Sequence, residues 1–262
     1  MNASWASILA AICLCPQAGF AAAIPDCAGP VEIAAAPVVR VERSGALELA
    51  RGRAVTLEGI LLPQAGDNRE SRLLADSAFV TLARQADQGP VTFAATPPLA
   101  DRYGRLRAQA FGEDWLQRAL LERGLARVMI APDRTACAAE LYAAEARARA
   151  AKRGLWALPA YRIRAADAML KNDIGTFQIV EGVVANVGRG DGRSFIDFAI
   201  DWRNGFSAVV AGEDRKTFRR EGFDLAGLRG RRIRLRGMVR AEQGRPQIVL
   251  ANPAQIELLD KP

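Results

Sequence analysis

The spacing of hydrophobic residues predicts a first region in which short strands and helices alternate. Residues 38–62 consist of strand-like runs separated by glycines, which is typical of strands joined by tight turns. Over 72–86, leucine and alanine recur at spacings of four and predict a helix. Strands at VTFAA, GRLRAQAF and LARVMI, with helices over 113–123 and 135–153, complete the pattern. This order predicts a small barrel carrying three helices, within a β-rich α+β chain.

Beyond a predicted linker at 159–173, the pattern indicates β-structure almost throughout. SFIDFAIDW alternates polar and apolar positions, so that one strand face carries Ile196, Phe198, Ile200 and Trp202. Asn204-Gly205 is a strong hairpin signal. GRGDG joins two strands and has no Walker lysine, so we interpret it as a plain turn. Five strands with a short helix after the third predict a second small OB-like β-barrel over 174–262.

Charge and composition narrow the chemistry. The 262 residues carry 36 Lys and Arg against 29 Asp and Glu, a net charge of +7 that suits an anionic partner. The sequence contains no histidine, which excludes histidine triads and histidine-ligated zinc. Any hydrolytic chemistry must therefore use carboxylates, Arg, Lys, Tyr or a cation bound by oxygen.

The N-terminus predicts export to the periplasm or the medium. Residues 5–14 form an apolar run and Ala21-Ala22-Ala23 offers a cleavage site, so 1–23 is interpreted as a signal peptide. No transmembrane segment would remain after cleavage. Removal leaves two cysteines, Cys27 in the tail at 24–37 and Cys137 in the body. In an oxidising compartment a disulfide between them is favoured over two free thiols.

Three motifs in the first region resemble the staphylococcal nuclease (thermonuclease) family. They are DRYGR at 101–105, a helix that ends in GLA, and an Ala/Lys/Arg-rich helix closed by GLW. The resemblance covers 38–158 and implies an OB-type barrel with three helices. Members of that family hydrolyse DNA and RNA with Ca²⁺. In them, aspartates hold the ion, a glutamate activates water and two arginines stabilise the phosphate charge.

Carried over residue by residue, the resemblance implies that most of this machinery is missing. Arg105 corresponds to one catalytic arginine and Tyr103 to the family's tyrosine. The family's R-x-x-G-I-D-T-P-E motif aligns with 56–64, where Gly59, Ile60 and Pro63 keep the register. The arginine, metal-aspartate and glutamate positions then hold Thr56, Leu61 and Gln64, and the upstream aspartate segment centres on Gly45. Leucine offers no oxygen to Ca²⁺, and glutamine cannot act as a base near neutral pH. We therefore expect an inactive nuclease with no cofactor.

Two alternatives for the first region stay open. A rebuilt Ca²⁺ site for phosphodiester hydrolysis would draw on Glu58, Asp67 and Glu70 beside Arg105. Arg105 itself either keeps a phosphate contact or pairs with a carboxylate as a structural arginine. Tyr103 is expected to pack at the rim of the pocket.

A candidate binding surface lies in the second region. Arg232, Arg234 and Arg236 alternate with apolar residues and therefore share one strand face. Such a ridge can follow a phosphate backbone, although an ordinary solvated exterior is the competing interpretation. Arg203, Lys216, Arg219 and Arg220 add charge nearby. The leading hypothesis is an exported, inactive nuclease relative that binds single-stranded nucleic acid or another polyanion. An active phosphodiesterase and a non-catalytic envelope scaffold are the alternatives.

Overall fold

The computed structural model describes residues 22–65, 69–201 and 205–259. The first 21 residues of the predicted signal peptide, Asp67, Trp202, Arg203 and Asn204 lie outside these ranges. The described residues form two hydrophobic cores, one contributed by residues between 28 and 155 and the other by residues between 170 and 256. We call residues 22–158 the first unit and 159–259 the second unit. None of the helices in the described ranges has the length and apolar character that crossing a bilayer requires.

The first unit is built on one six-stranded sheet. Its strands are β1 (Val31–Ala36), β2 (Val38–Val41), β3 (Leu47–Leu49), β4 (Ala54–Leu57), β5 (Ile60–Leu61), β6 (Val91–Ala94), β7 (Leu106–Phe111) and β8 (Arg127–Val128). The sheet order is β1-β6-β7-β4-β3-β2, while β5 and β8 form a separate antiparallel pair. The consecutive strands β1 and β2 thus lie at opposite ends of the order. Hydrogen bonding among the described residues does not close the sheet into the predicted barrel.

Three helices pack on this sheet: α1 (Arg69–Asp87), α2 (Leu116–Glu122) and α3 (Ala138–Ala150). α1 buries Leu74, Ala78 and Leu82, which confirms the helix that the fourfold spacing predicts. α2 and α3 are shorter than predicted: residues at both ends of each predicted helix lie outside it.

The GLA and GLW motifs end two helices at the same point in space. Gly124 follows α2 and Gly154 follows α3, both with a left-handed backbone that favours glycine. A Cβ on Gly124 would lie 2.1 Å from the carbonyl oxygen of Arg153, so a side chain there would clash. Leu155 donates its backbone N–H to the Gly124 carbonyl at 2.8 Å. Both glycines are therefore needed for the two helix ends to meet.

The second unit contains one helix, α4 (Arg215–Arg220), in its described part, and a larger sheet. Its strands are β9 (Arg164–Ala165), β10 (Phe177–Val183), β11 (Asn186–Gly190), β12 (Arg193–Asp197), β13 (Ser207–Val210), β14 (Arg232–Glu242), β15 (Arg245–Val249) and β16 (Ile256–Leu258). The order is β11-β12-β13-β15-β14-β10-β9, with β16 also on β14. The consecutive strands β10 and β11 again lie on opposite sides, with β12, β13, β15 and β14 between them and β9 beyond β10. Hydrogen bonds among the described residues leave this sheet open. The β-rich α+β class is confirmed.

Two local expectations for the second unit are wrong. The segment 159–173 is not a bare linker, because it contains β9, which pairs with β10, and the buried Leu170. The strand predicted through SFIDFAIDW ends at Asp197, and Ile200 is 96% exposed. Alternation alone could not show where β12 leaves the sheet. The Asn204-Gly205 turn falls partly outside the described residues.

A disulfide joins Cys27 to Cys137 across 110 residues of sequence, the pairing that the sequence favours. It ties the segment before β1 to the residue that precedes α3. Both cysteines contact the core of the first unit, and Cys137 is buried in it.

Candidate functional site

The segment that the resemblance aligned with the nuclease motif borders an apolar cleft in the first unit. Residues 56–64 run through β4 and β5 and form much of this cleft, whose volume is about 230 Å³. Its described lining consists of Ser44, Gly45, Ala46, Thr56, Leu57, Ile60, Leu61, Leu62, Gln64, Arg105 and Met129. We call it the apolar cleft.

The donor set of the apolar cleft does not fit Ca²⁺. No side chain in the described lining carries a carboxylate, and the neutral oxygens come from Ser44, Thr56 and Gln64. Ca²⁺ takes about six to eight oxygen ligands, usually including carboxylates. Leu62 is 8% exposed, and a Cβ built on Gly45 would lie 2.5 Å from its Cδ1 atom. An acidic side chain at position 45 would therefore require Leu62 to move.

Arg105 is held by a carboxylate in its own turn. Its Nε and Nη2 atoms both lie 2.8 Å from Oδ2 of Asp101, whose Oδ1 accepts the backbone N–H groups of Tyr103 and Arg105. Burial raises the pKa of Asp101, but these hydrogen bonds and the Arg105 charge outweigh it and hold that pKa below the ordinary value. Of the two roles open for Arg105, this geometry supports the structural one. Tyr103 is 66% exposed and only touches the arginines beside it, so it is not a packing residue.

The carboxylates considered for a rebuilt site lie elsewhere. Glu58 is buried and forms an ion pair with the buried Arg134, and Arg107 lies 3.6 Å from its other oxygen. Burial, only partly offset by these arginines, raises the pKa of Glu58. Glu70 is exposed in the first turn of α1, and neither residue lines the apolar cleft. Asp67 is outside the described residues.

The arginines of the predicted ridge are already paired. Arg232 and Arg234 both bind Glu181, at 2.6 and 2.7 Å, and Arg234 also reaches Glu257 at 3.5 Å. Arg232 is the exposed member, whereas Arg236 is only 1% exposed. The three arginines therefore do not form one solvent-facing ridge, because Arg236 is buried against the first unit.

Arg236 instead joins the two units. Its Nη1 donates to both carboxylate oxygens of Glu145, at 3.1 and 3.0 Å, and to the Val128 carbonyl at 3.1 Å. Its Nη2 donates to Glu257 at 2.6 Å, and its guanidinium lies 4.3 Å from the centre of the Tyr142 ring. Burial alone would lower the pKa of Arg236, but the surrounding carboxylates raise it above its ordinary value. We call this cluster the arginine clamp.

Further polar contacts surround the clamp. Asn252 donates to the carbonyls of Ala131 and Pro132 at 2.9 and 3.2 Å, and Arg127 donates to the Phe177 carbonyl at 2.8 Å. Burial lowers the pKa of Arg127 to about 10. These bonds connect β8 and the following loop of the first unit to the second unit, so the interface is polar as well as charged.

A basic cleft on the second unit was not predicted from the sequence. Arg189, Arg215 and Arg219 line a cavity of about 180 Å³ together with Phe218, Phe223 and one carboxylate, that of Asp224. In the described part of the chain, none of these three arginines forms an ion pair, in contrast to the ridge. The buried Nε of Arg215 has no hydrogen-bond partner there. The cleft therefore offers guanidinium groups to which an anionic ligand can bind.

A larger groove of about 460 Å³ begins at Arg189 and crosses the outer face of β11, β12, β13 and β15. A Cβ on Gly190 would meet only the Phe195 ring, at 3.8 Å, so the missing side chain leaves this ring open to the groove. Arg193 lies over the same ring, 5.6 Å from its centre, and pairs loosely with Glu242 at 3.5 Å. We call this surface the groove.

The sequence contained a signal for this site. From the sequence, GRGDG is interpreted as a plain turn, and Arg219 is only part of the charge near the ridge. The sequence patterns do not identify Arg189, Arg193, Arg215 and Phe195. Glycines at two alternate positions of β11, paired with an aromatic-bearing strand, mark an opening on a sheet face.

Residues 55–158 match the family model described as staphylococcal nuclease homologue, which covers less than half of the chain. The chain therefore contains a staphylococcal nuclease-like domain. A search of curated proteins finds no match.

Proposed function

We propose that this protein, built on the staphylococcal nuclease-like domain at 55–158, has lost nuclease activity and binds single-stranded nucleic acid through its second unit. The observation that carries the proposal is that Arg189 lines both cavities, so that the basic cleft of Arg189, Arg215 and Arg219 adjoins the groove at this residue. The apolar cleft supports the first part, since its donor set suits neither a cation nor a general base. No catalytic step is assigned to the protein.

Binding follows from the chemistry of the two cavities. Guanidinium groups present planar donor pairs that match phosphate oxygens, so the nucleic-acid backbone would pass along the basic cleft. The open ring of Phe195 would take a stacked base, an interaction worth about 1–3 kcal/mol per base. The stacking contact needs an unpaired base, which favours single strands over duplex.

The strand order supports the same surface. In each unit, two consecutive strands, β1 and β2 or β10 and β11, lie on opposite sides of the sheet. When such a pair is counted together as strand 1, the order around the sheet is 1-2-3-5-4-1. We infer that both units are OB-type barrels. In the second unit the groove lies between the β11–β12 turn and the β14–β15 turn, the region where OB barrels hold oligonucleotides.

Export is part of the proposal. The disulfide between Cys27 and Cys137 suits an oxidising compartment, as does the signal peptide expected from the sequence. The nucleic acid encountered there would be extracellular or periplasmic.

The test is fluorescence anisotropy with a labelled single-stranded DNA of mixed sequence, about 12 nucleotides long, within the range of OB-type sites. If three phosphates contact the basic cleft, the logarithm of affinity falls with the logarithm of salt at a slope of about −2. Raising salt from about 50 to about 200 mM should then weaken binding about 20-fold. Absence of binding, or binding that ignores salt, would contradict the proposal and leave the scaffold hypothesis.

Matched variants locate the site. Arg189→Ala and Arg219→Ala remove exposed arginines of the basic cleft, and each should weaken binding and reduce the salt slope by about 0.7. Arg232→Ala removes an exposed arginine at the other end of β14 from Glu242, about 33 Å away along the strand, and should leave affinity nearly unchanged. The reverse pattern would move the site to the predicted ridge.

A further inference from the structure

Gln247 lies at the floor of the groove, and its side-chain amide has no hydrogen-bond partner among the described residues. The residue is only 5% exposed, yet it lines the groove. An amide that reaches the groove and has no partner within the protein keeps both its donor and its acceptor for a ligand. The side chain is thus placed to bond with a ligand in the groove.

Gln247 belongs to a polar row that crosses three strands. Asp197 on β12 pairs in register with Ser207 on β13, which pairs with Gln247 on β15. At about 4.8 Å between strands, the outer two lie about 10 Å apart. Asp197 and Ser207 are also buried, and the Ser207 hydroxyl donates to Oδ1 of Asp197 at 2.7 Å. No donor within the described ranges occupies Oδ2, so the floor presents a carboxylate acceptor and an amide.

This pattern discriminates between nucleobases. An ionised carboxylate only accepts hydrogen bonds, whereas the Gln247 amide can donate from its nitrogen. Cytosine and adenine carry an amino group beside a ring nitrogen that accepts, which complements Asp197 and Gln247 respectively. Thymine and uracil instead place carbonyl oxygens on both sides of one N–H group, so a carbonyl would face the carboxylate.

Phe195 brings a base to this floor. It precedes Asp197 by two residues on the same face of β12, about 7 Å away. Gly188 and Gly190 on β11 leave the approach to its ring open. A base that enters beside the ring can therefore direct its hydrogen-bonding edge toward the polar row.

We propose that the groove selects bases whose Watson–Crick edge carries an exocyclic amino group beside a ring acceptor, namely cytosine and adenine, over thymine and uracil. This selectivity rests on the proposed function and adds a base preference to it. The recognition resides in Asp197 and Gln247, and the phosphates are held separately by the basic cleft.

The experiment compares oligo(dC), oligo(dA) and oligo(dT) of equal length by fluorescence anisotropy, with inorganic polyphosphate as a competitor without bases. Oligo(dC) should bind about 5- to 150-fold more tightly than oligo(dT), the range for one well-placed base contact. Because both are pyrimidines, stacking differs little between them, which makes this the decisive pair. Oligo(dA) should also bind more tightly than oligo(dT).

Asp197→Asn tests the carboxylate. Asparagine can still accept a hydrogen bond from the Ser207 hydroxyl, but it presents an amide N–H donor where the carboxylate presented an acceptor. The preference for oligo(dC) should therefore disappear or reverse. Displacement by polyphosphate should stay unchanged. Asp191→Asn removes the same charge at the rim of the groove and should keep the preference. Thermal melting checks that both variants fold.

The outcomes separate the two claims. If no oligonucleotide binds, the proposed function fails together with the selectivity. If all three bind equally, or if Asp197→Asn keeps the wild-type preference, only the base selectivity is overturned.

Discussion

Replacing Arg236 by methionine should destabilise the protein more than any change on the exposed part of β14. Methionine keeps an apolar stem but leaves Glu145 and Glu257 without their shared guanidinium. Glu145 is fully buried, so its charge would lose its closest partner in a medium that solvates it poorly. The attraction to the Tyr142 ring would be lost as well.

The size of the effect follows from this geometry. Removing one partner of a buried ion pair costs about 3–5 kcal/mol, because the remaining charge loses its main compensation; Arg149, at 3.3 Å, still offsets part of the Glu145 charge. For a chain of this size, each 1 kcal/mol shifts the melting temperature by about 2–4 °C. Arg236→Met should therefore melt about 6–20 °C below the wild type.

The assay is thermal unfolding followed by circular dichroism, with Arg232→Met as the matched control. Arg232 is 60% exposed, so its loss should cost no more than about 1 kcal/mol. Adding Glu145→Gln and Glu257→Gln to Arg236→Met should restore part of the stability, because the two carboxylates that lost the guanidinium are then neutral. Equal melting temperatures for Arg236→Met and Arg232→Met would refute the clamp.

Three further predictions concern chemistry, redox state and pH. Neither the wild type nor Arg105→Ala should hydrolyse single-stranded DNA or RNA, with Ca²⁺ or with EDTA. Ca²⁺-dependent cleavage by the wild type that Arg105→Ala abolishes would show a rebuilt site. Reducing the Cys27–Cys137 disulfide should lower the free energy of unfolding by about 2–5 kcal/mol in urea titrations, and an intact mass unchanged by reduction would contradict the bond. Burial raises the pKa of Glu181, but Arg234 and Arg232 outweigh it and hold that pKa below its ordinary value of 4.5. Its ion pairs therefore stabilise the protein above pH 4.5 and lose that effect as the pH falls through the folded pKa. Glu181→Gln should cost up to about 1 kcal/mol at neutral pH and progressively less in acid, and a loss that does not change with pH would argue against these pairs.

Local patterns predicted much of the fold. The fourfold spacing of Leu74, Ala78 and Leu82 predicted α1, and alternation placed Ile233 and Leu235 in the core. These signals work because burial repeats with the period of the element itself. The motif around 56–64 likewise predicted the apolar character of the cleft, since the resemblance aligns Leu61 with a metal-binding position.

The binding surface was not predicted in the same way. Alternation correctly placed Arg236 on the opposite face from Ile233, but it gave no information about what that face meets. The groove combines residues from hairpins that are about 50 positions apart in the chain, such as Arg193 and Glu242. Only their position in the folded sheet brings them together.

The sequence by itself determined the β-rich class and the nuclease-like motifs, and it has no carboxylate at the positions that the resemblance aligns with Ca²⁺ ligands. The tertiary structure decided which arginines can meet a ligand. A strand pattern shows which side chains share a face. Contacts between segments that are distant in the chain decide whether that face meets solvent or a packed carboxylate. Arg236 therefore became a clamp between the units, and Arg189 became the centre of the proposed interface.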